Sequence, residues 1–96
     1  FLVDYFAECD EHFGNARLHL LALEAGAADG GRERPHLEEL FRSFHSIKGI
    51  SGMVELREAE QLAHDLESYL RALRQREVAL TQEGIDALIE GTQRLE

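Results

Sequence analysis

One cysteine, one proline and no tryptophan occur in these 96 residues, and no apolar run approaches the ~20 residues that a membrane helix needs. A lone Cys9 excludes an internal disulfide, and a small domain without disulfides fits a reducing, cytoplasmic setting. No basic stretch precedes an apolar one at the N-terminus, so neither a membrane span nor a signal peptide is expected. Basic residues are also scarce. Ten Lys and Arg against 19 Asp and Glu give a formal charge of −9, which repels nucleic-acid backbones and anionic membrane surfaces and leaves proteins as the expected partners.

What is present is 44% hydrophobic and 30% charged, the balance of a small globular domain. A single domain over residues 1–96 is the natural reading, expected to be monomeric in isolation. The pattern begins in mid-stride, as a piece of a longer protein does. About 100 residues bury one modest core but not a deep two-lobed cleft, so complex chemistry should be shared with a partner.

The periodicity is helical throughout, and no strand signal competes. Leu2, Phe6, Phe13, Leu20 and Leu23 predict a first helix from Phe1 to about Ala25, weakened by Gly14 inside it. The run Gly26 to Arg34, with Gly30-Gly31 at its centre, reads as a loop ending at Pro35, a favoured first helical residue. Leu37, Leu40, Phe41, Phe44, Ile47 and Ser51 predict a second helix that stops near Gly52. Ala59, Leu62, Ala63, Leu66, Tyr69, Leu70 and Leu73 predict a third from about Leu56 to Arg76. Thr81 is the expected N-cap of a fourth, through Ile85, Leu88, Ile89 and Leu95. The expected architecture is an all-α, antiparallel up-and-down bundle of four helices.

The chemistry concentrates on the second helix, where His45, Lys48, Gly49 and Gly52 fall at i, i+3, i+4 and i+7 and share a face beside the core stripe. His45 should therefore stand exposed on the flank of the bundle. Each glycine costs about 1 kcal/mol against Ala inside a helix, so a bare backbone here is best explained by access for a partner's active-site loops. The competing reading makes Gly52 a helix C-cap and Gly49 a packing contact. Lys48, one turn from His45, is placed to neutralise phosphoryl oxygens. On the third helix, Glu67 lies at the edge of the apolar stripe with His64 three residues before it. If Glu67 accepts a hydrogen bond from Nδ1–H of His45, Nε2 is left as a nucleophilic lone pair facing solvent.

His45-Ser46-Ile47-Lys48-Gly49, preceded by Phe41-Arg42, together with His64-x-x-Glu67, resembles the histidine-containing phosphotransfer (HPt) domains of CheA-type chemotaxis kinases. The likeness extends to Tyr5-Phe6-x-Glu8 and Leu20-Leu21-x-Leu23 in the first helix. The resemblance implies a two-component signalling role. A phosphoryl group from ATP on a separate kinase domain would be carried on Nε2 of His45 and passed to an aspartate of a response-regulator receiver. By position, Glu67 is implied as the hydrogen-bond partner, and Lys48 and His64 as supporting members. The carrier binds no nucleotide, and magnesium is expected to be held by the kinase or receiver. Family members of this type often carry a fifth helix, which bears on the domain boundary and not on the site.

Other residues have plainer readings. His12, His19 and His36 lack helical neighbours that make a site and are expected to be solvated surface histidines. Cys9 has no basic neighbour at helical spacing and is expected to be inert. Met53, Phe41 and Phe44 read as packing. Two rival functions are a metal site built from His45, His64, Glu67 and Glu60, and a helical adaptor without phosphorylation. The first has one His-x-x-Glu where di-iron bundles use two Glu-x-x-His pairs, and the second leaves the glycines unexplained.

Overall fold

A computed structural model describes residues 2–27 and 32–96, with backbone alone for residues 2, 3, 5, 6 and 27. The expected side-chain roles of Leu2 and Phe6 and the glycine pair 30–31 lie outside what it describes. Among the described residues there are four helices and no strand: α1 Leu2–Ala22, α2 Arg34–Met53, α3 Arg57–Arg74 and α4 Gln82–Leu95. Short connections run them up and down, α2 against α1 and α3, while α4 packs on both α3 and α1 to close the bundle.

Helix α1 buries Cys9, Phe13, Ala16 and Leu20, and Leu23 just beyond it continues the stripe, alternating steps of four and three. Cys9 and Ala16 complete a stripe of which only the bulky members stand out in the sequence. Beyond Ala22 the winding loosens through Leu23–Ala27, where Gly26 takes φ 104°, a left-handed conformation that a side chain disfavours. Helix α2 starts one residue earlier than expected, at Arg34, with Pro35 in the first turn, where its missing N–H removes no helical bond. It buries Leu37, Leu40, Phe44 and Ile47 against both neighbours. Truncating a fully buried Leu40 to Ala should cost about 2–5 kcal/mol.

The helix ends depart from the sequence reading. Helix α2 runs past Gly52 to Met53, and the left-handed residue that stops it is Glu55, φ 61°. Leu56 N–H donates to the Ser51 carbonyl (2.9 Å) and Glu55 N–H to that of Gly52 (3.2 Å), closing the last turn. Gly52 is thus interior to the helix and not its cap. Arg76, φ 59°, ends α3 in the same way, through Glu77 N–H to Ala72 O (2.9 Å) and Arg76 N–H to Leu73 O (3.2 Å). Helix α4 begins as expected, with Thr81 Oγ1 accepting from Gly84 N–H at 3.0 Å. Gly84 and Gly91 let α4 approach α3, since a Cβ on either would overlap Tyr69 or Leu66. Met53 does not pack: it is 83% exposed, six residues beyond buried Ile47 and so turned away from the core.

Candidate functional site

The α2–α3 seam holds a carboxylate where a bundle normally places an aliphatic side chain. Glu67 is completely buried, in line with Ala63, Leu66, Leu70 and Leu73 on α3. Removing a carboxylate from water costs several kcal/mol unless donors and charge offset it, and Glu67 has three donors. His45 Nδ1 lies 2.5 Å from Oε2, Lys48 Nζ 2.9 Å from Oε1 and Arg71 Nη2 3.3 Å from Oε1. Burial pushes the Glu67 carboxyl up, but hydrogen bonds and charge from Lys48 and His45 outweigh it and hold the group below the ordinary 4.5.

An ionised carboxylate can only accept, so the proton between the two groups belongs to Nδ1 of His45. In the neutral ring Nε2 then carries the lone pair, and the His45 side chain is 64% exposed. When Nε2 forms a bond and the ring becomes cationic, the same carboxylate stabilises that charge. The site is therefore a solvent-facing imidazole whose tautomer and orientation are set from inside the core.

Helix α2 presents Phe41 one turn before His45 and Lys48 one turn after it. The Phe41 and His45 rings lie nearly parallel, 9° apart with centroids 6.3 Å apart. The guanidinium groups of Arg71 and Arg74 stand over the Phe41 ring at 5.7 and 4.6 Å, and Arg74 also bonds Glu38 at 2.9 Å. Phe41, which reads from the sequence as packing alone, thus forms one wall of the site because it is only half-buried. Arg71 and Arg74 are neighbours of His45 and Glu67 that the sequence reading misses. Arg71 has a signal there, since Glu67 and Arg71 are four apart on one helix.

Lys48 faces Glu67 and not open solvent. His64 is exposed and takes no part in the Glu67 bonds; it lines an open recess with Lys48, Gly52, Arg57 and Glu60. Gly49 is exposed, and a Cβ there would meet nothing within 4 Å, whereas a Cβ on Gly52 would sit 2.7 Å from the Glu60 carboxylate. The two glycines therefore differ: one opens the surface, the other also makes room for Glu60. Among the described residues no group of three or more His, Cys, Asp or Glu could hold a metal ion.

The expectation for His19 and His36 is overturned. They are remote in sequence but meet across the α1–α2 seam, with Nδ1 to Nδ1 at 2.8 Å and ring centroids 5.1 Å apart. Burial lowers the His19 pKa from 6.5, with a smaller contribution from His36 that nearby Glu39 opposes. On the same seam Asn15 Nδ2 donates to buried Ser43 Oγ at 2.8 Å.

The family model described as Hpt domain matches residues 1–96. Chemotaxis protein CheA of Halobacterium salinarum is 32% identical over 96 residues, all of this chain and 14% of that protein. The CheA proteins of Listeria monocytogenes and Bacillus subtilis are each 29% identical over 92 residues, 96% of this chain and 14% and 13% of theirs. The chain spans about a seventh of the curated relatives it matches. Among solved structures, the CheA phosphotransferase domain from Thermotoga maritima superposes with a TM-score of 0.87 at 28% identity, covering 98% of this chain and 86% of that one. With a four-helix bundle, a histidine on its flank and a match over the whole chain, the protein belongs to the Hpt domain family, the histidine phosphotransfer domains of two-component signalling.

Proposed function

We propose that His45 is the phosphoryl-carrying residue and that this chain is the carrier domain of a CheA-type histidine kinase. The observation that carries this reading is the 2.5 Å contact of a fully buried Glu67 carboxylate with Nδ1 of a ring whose opposite edge is open to solvent. The Nε2 lone pair attacks the γ-phosphorus of ATP bound to a separate kinase domain, an N–P bond forms, and the P–O bond to departing ADP breaks. In the second transfer an aspartate oxygen of a receiver domain attacks phosphorus and the N–P electron pair returns to Nε2. ATP and magnesium come with those partner domains.

Glu67 orients the ring, and Lys48 helps to keep Glu67 ionised. The open backbone at Gly49 supports close approach by a partner, and His64 sits on the rim of the same face. Among the described residues no helix is long and apolar enough to cross a membrane. The formal charge of −9 supports protein partners over nucleic acid or an anionic membrane surface. The test incubates the chain with the ATP-binding kinase domain of a CheA-type protein, ATP and magnesium. The expected product gains the mass of one phosphoryl group, which is lost in acid and kept in base. An acid-stable product, or one formed equally by His45→Gln, overturns the assignment.

A further inference from the structure

Two cations share one carboxylate at this site, and they are not equivalent. Lys48 Nζ is 2.9 Å from Glu67 Oε1 and its side chain is 26% exposed; Arg71 Nη2 is 3.3 Å from the same oxygen and its side chain is 48% exposed. The groups that hold Glu67 ionised are Lys48 and His45. Glu67 therefore keeps a charged partner if Arg71 leaves, but loses its closer and more enclosed one if Lys48 does.

Arg71 also rests on the Phe41 ring, which lies parallel to the His45 ring on the side away from Lys48. A long side chain, half in water and held by a long bond and an aromatic face, can turn at little cost. Its planar fork matches the oxygens of a phosphoryl group. Arg74 is less free to do this, since its Nε is engaged by Glu38 at 2.9 Å.

We propose that Arg71, and not Lys48, is the cation that binds the phosphoryl oxygens on His45, with Lys48 remaining on Glu67. This rests on His45 being the phosphoryl carrier. On phosphorylation the Arg71 fork leaves Oε1 of Glu67 for the phosphoryl oxygens, and Glu67 keeps Lys48 and the Nδ1–H of the now cationic ring.

The test uses potassium phosphoramidate as donor, so that no partner protein is needed. The Nε2 lone pair attacks phosphorus, the P–N bond of the zwitterionic donor breaks, and ammonia departs with the bonding pair. The phosphoryl titration midpoint is read by ³¹P NMR, and the pH dependence of the phosphorylation rate is measured alongside. Arg71→Gln is expected to raise the midpoint by about 0.5 unit or more, because a cation beside the dianion is lost, and Arg71→Lys to restore most of it. Lys48→Gln is expected to leave the midpoint in place and to move the acid limb of the rate profile upward, because Glu67 is then less firmly ionised. The reverse pattern, or a midpoint indifferent to Arg71, overturns the inference. Equal phosphorylation of His45→Gln would instead overturn the carrier assignment beneath it.

Discussion

Two seams of α2 each bring a histidine to a partner on the neighbouring helix, and only one of them fixes which ring nitrogen holds the proton. At the α2–α3 seam the partner of His45 is a buried carboxylate that accepts and never donates, so the proton sits on Nδ1 and Nε2 is free. At the α1–α2 seam the partner of His19 is another imidazole, His36, and either nitrogen of that pair can hold the shared proton. Proximity of a histidine to a polar group is therefore not enough. The acceptor must be charged and itself held charged, which is what Lys48 does for Glu67.

The largest expected effect is at His45. His45→Gln should abolish phosphorylation while the melting temperature stays within a few degrees, because the side chain is mostly outside the core. Mass spectrometry and a thermal melt on the same sample check both halves. Next comes the acceptor: Glu67→Gln should slow phosphorylation by about 10²-fold without eliminating it, since a neutral amide no longer fixes the tautomer or stabilises the imidazolium. Wild-type rates in that variant would make the two seams chemically alike.

A smaller effect separates the two glycines. Gly49→Leu should gain up to about 1 kcal/mol of helix stability, because its Cβ enters open space. Gly52→Leu should gain less, because Glu60 must move. Both should slow exchange with kinase and receiver at least about tenfold by obstructing close approach. Denaturant melts paired with transfer rates read the two effects separately, and normal transfer in Gly49→Leu would remove the access argument.

The smallest effect is the pH dependence of stability, in which the two seams titrate in different windows. His19 binds its proton less readily folded than unfolded, so stability is full above pH 6.5 and declines as pH falls below it. Glu67 is likewise more acidic folded, so a second loss begins as pH falls below 4.5. Urea midpoints across this range should show the upper step vanish in His19→Asn. It should persist, reduced, in His36→Asn, because burial outweighs the neighbouring ring. An unchanged upper step in His19→Asn would place its origin elsewhere.

How much of this is legible in the sequence depends on whether a feature lives within one helix. The stripes of Leu37, Leu40, Phe44 and Ile47, the Thr81 cap and the flank position of His45 follow from periodicity and cap chemistry alone. Cys9 and Ala16 escape notice because small side chains add little to an apolar stripe, though the step pattern requires them. Arg71 is within reach, four residues after Glu67. The His19–His36 contact is not, because the axial register of α1 against α2 is set by packing across the seam and by no pattern inside either helix. Nor are the left-handed ends at Glu55 and Arg76, where residues that disfavour φ near 60° are held by the closing hydrogen bonds of the turn.

In the proposed function, Glu67 holds the proton on Nδ1 so that Nε2 of His45 takes the phosphoryl group. Its most direct test is long-range ¹H–¹⁵N NMR of the histidine rings before and after phosphorylation. The expected result is a His45 ring protonated at Nδ1 in the free domain, then phosphorus coupled to Nε2 of that same ring. Phosphorus on Nδ1 of His45, or on the ring of His64, would contradict it.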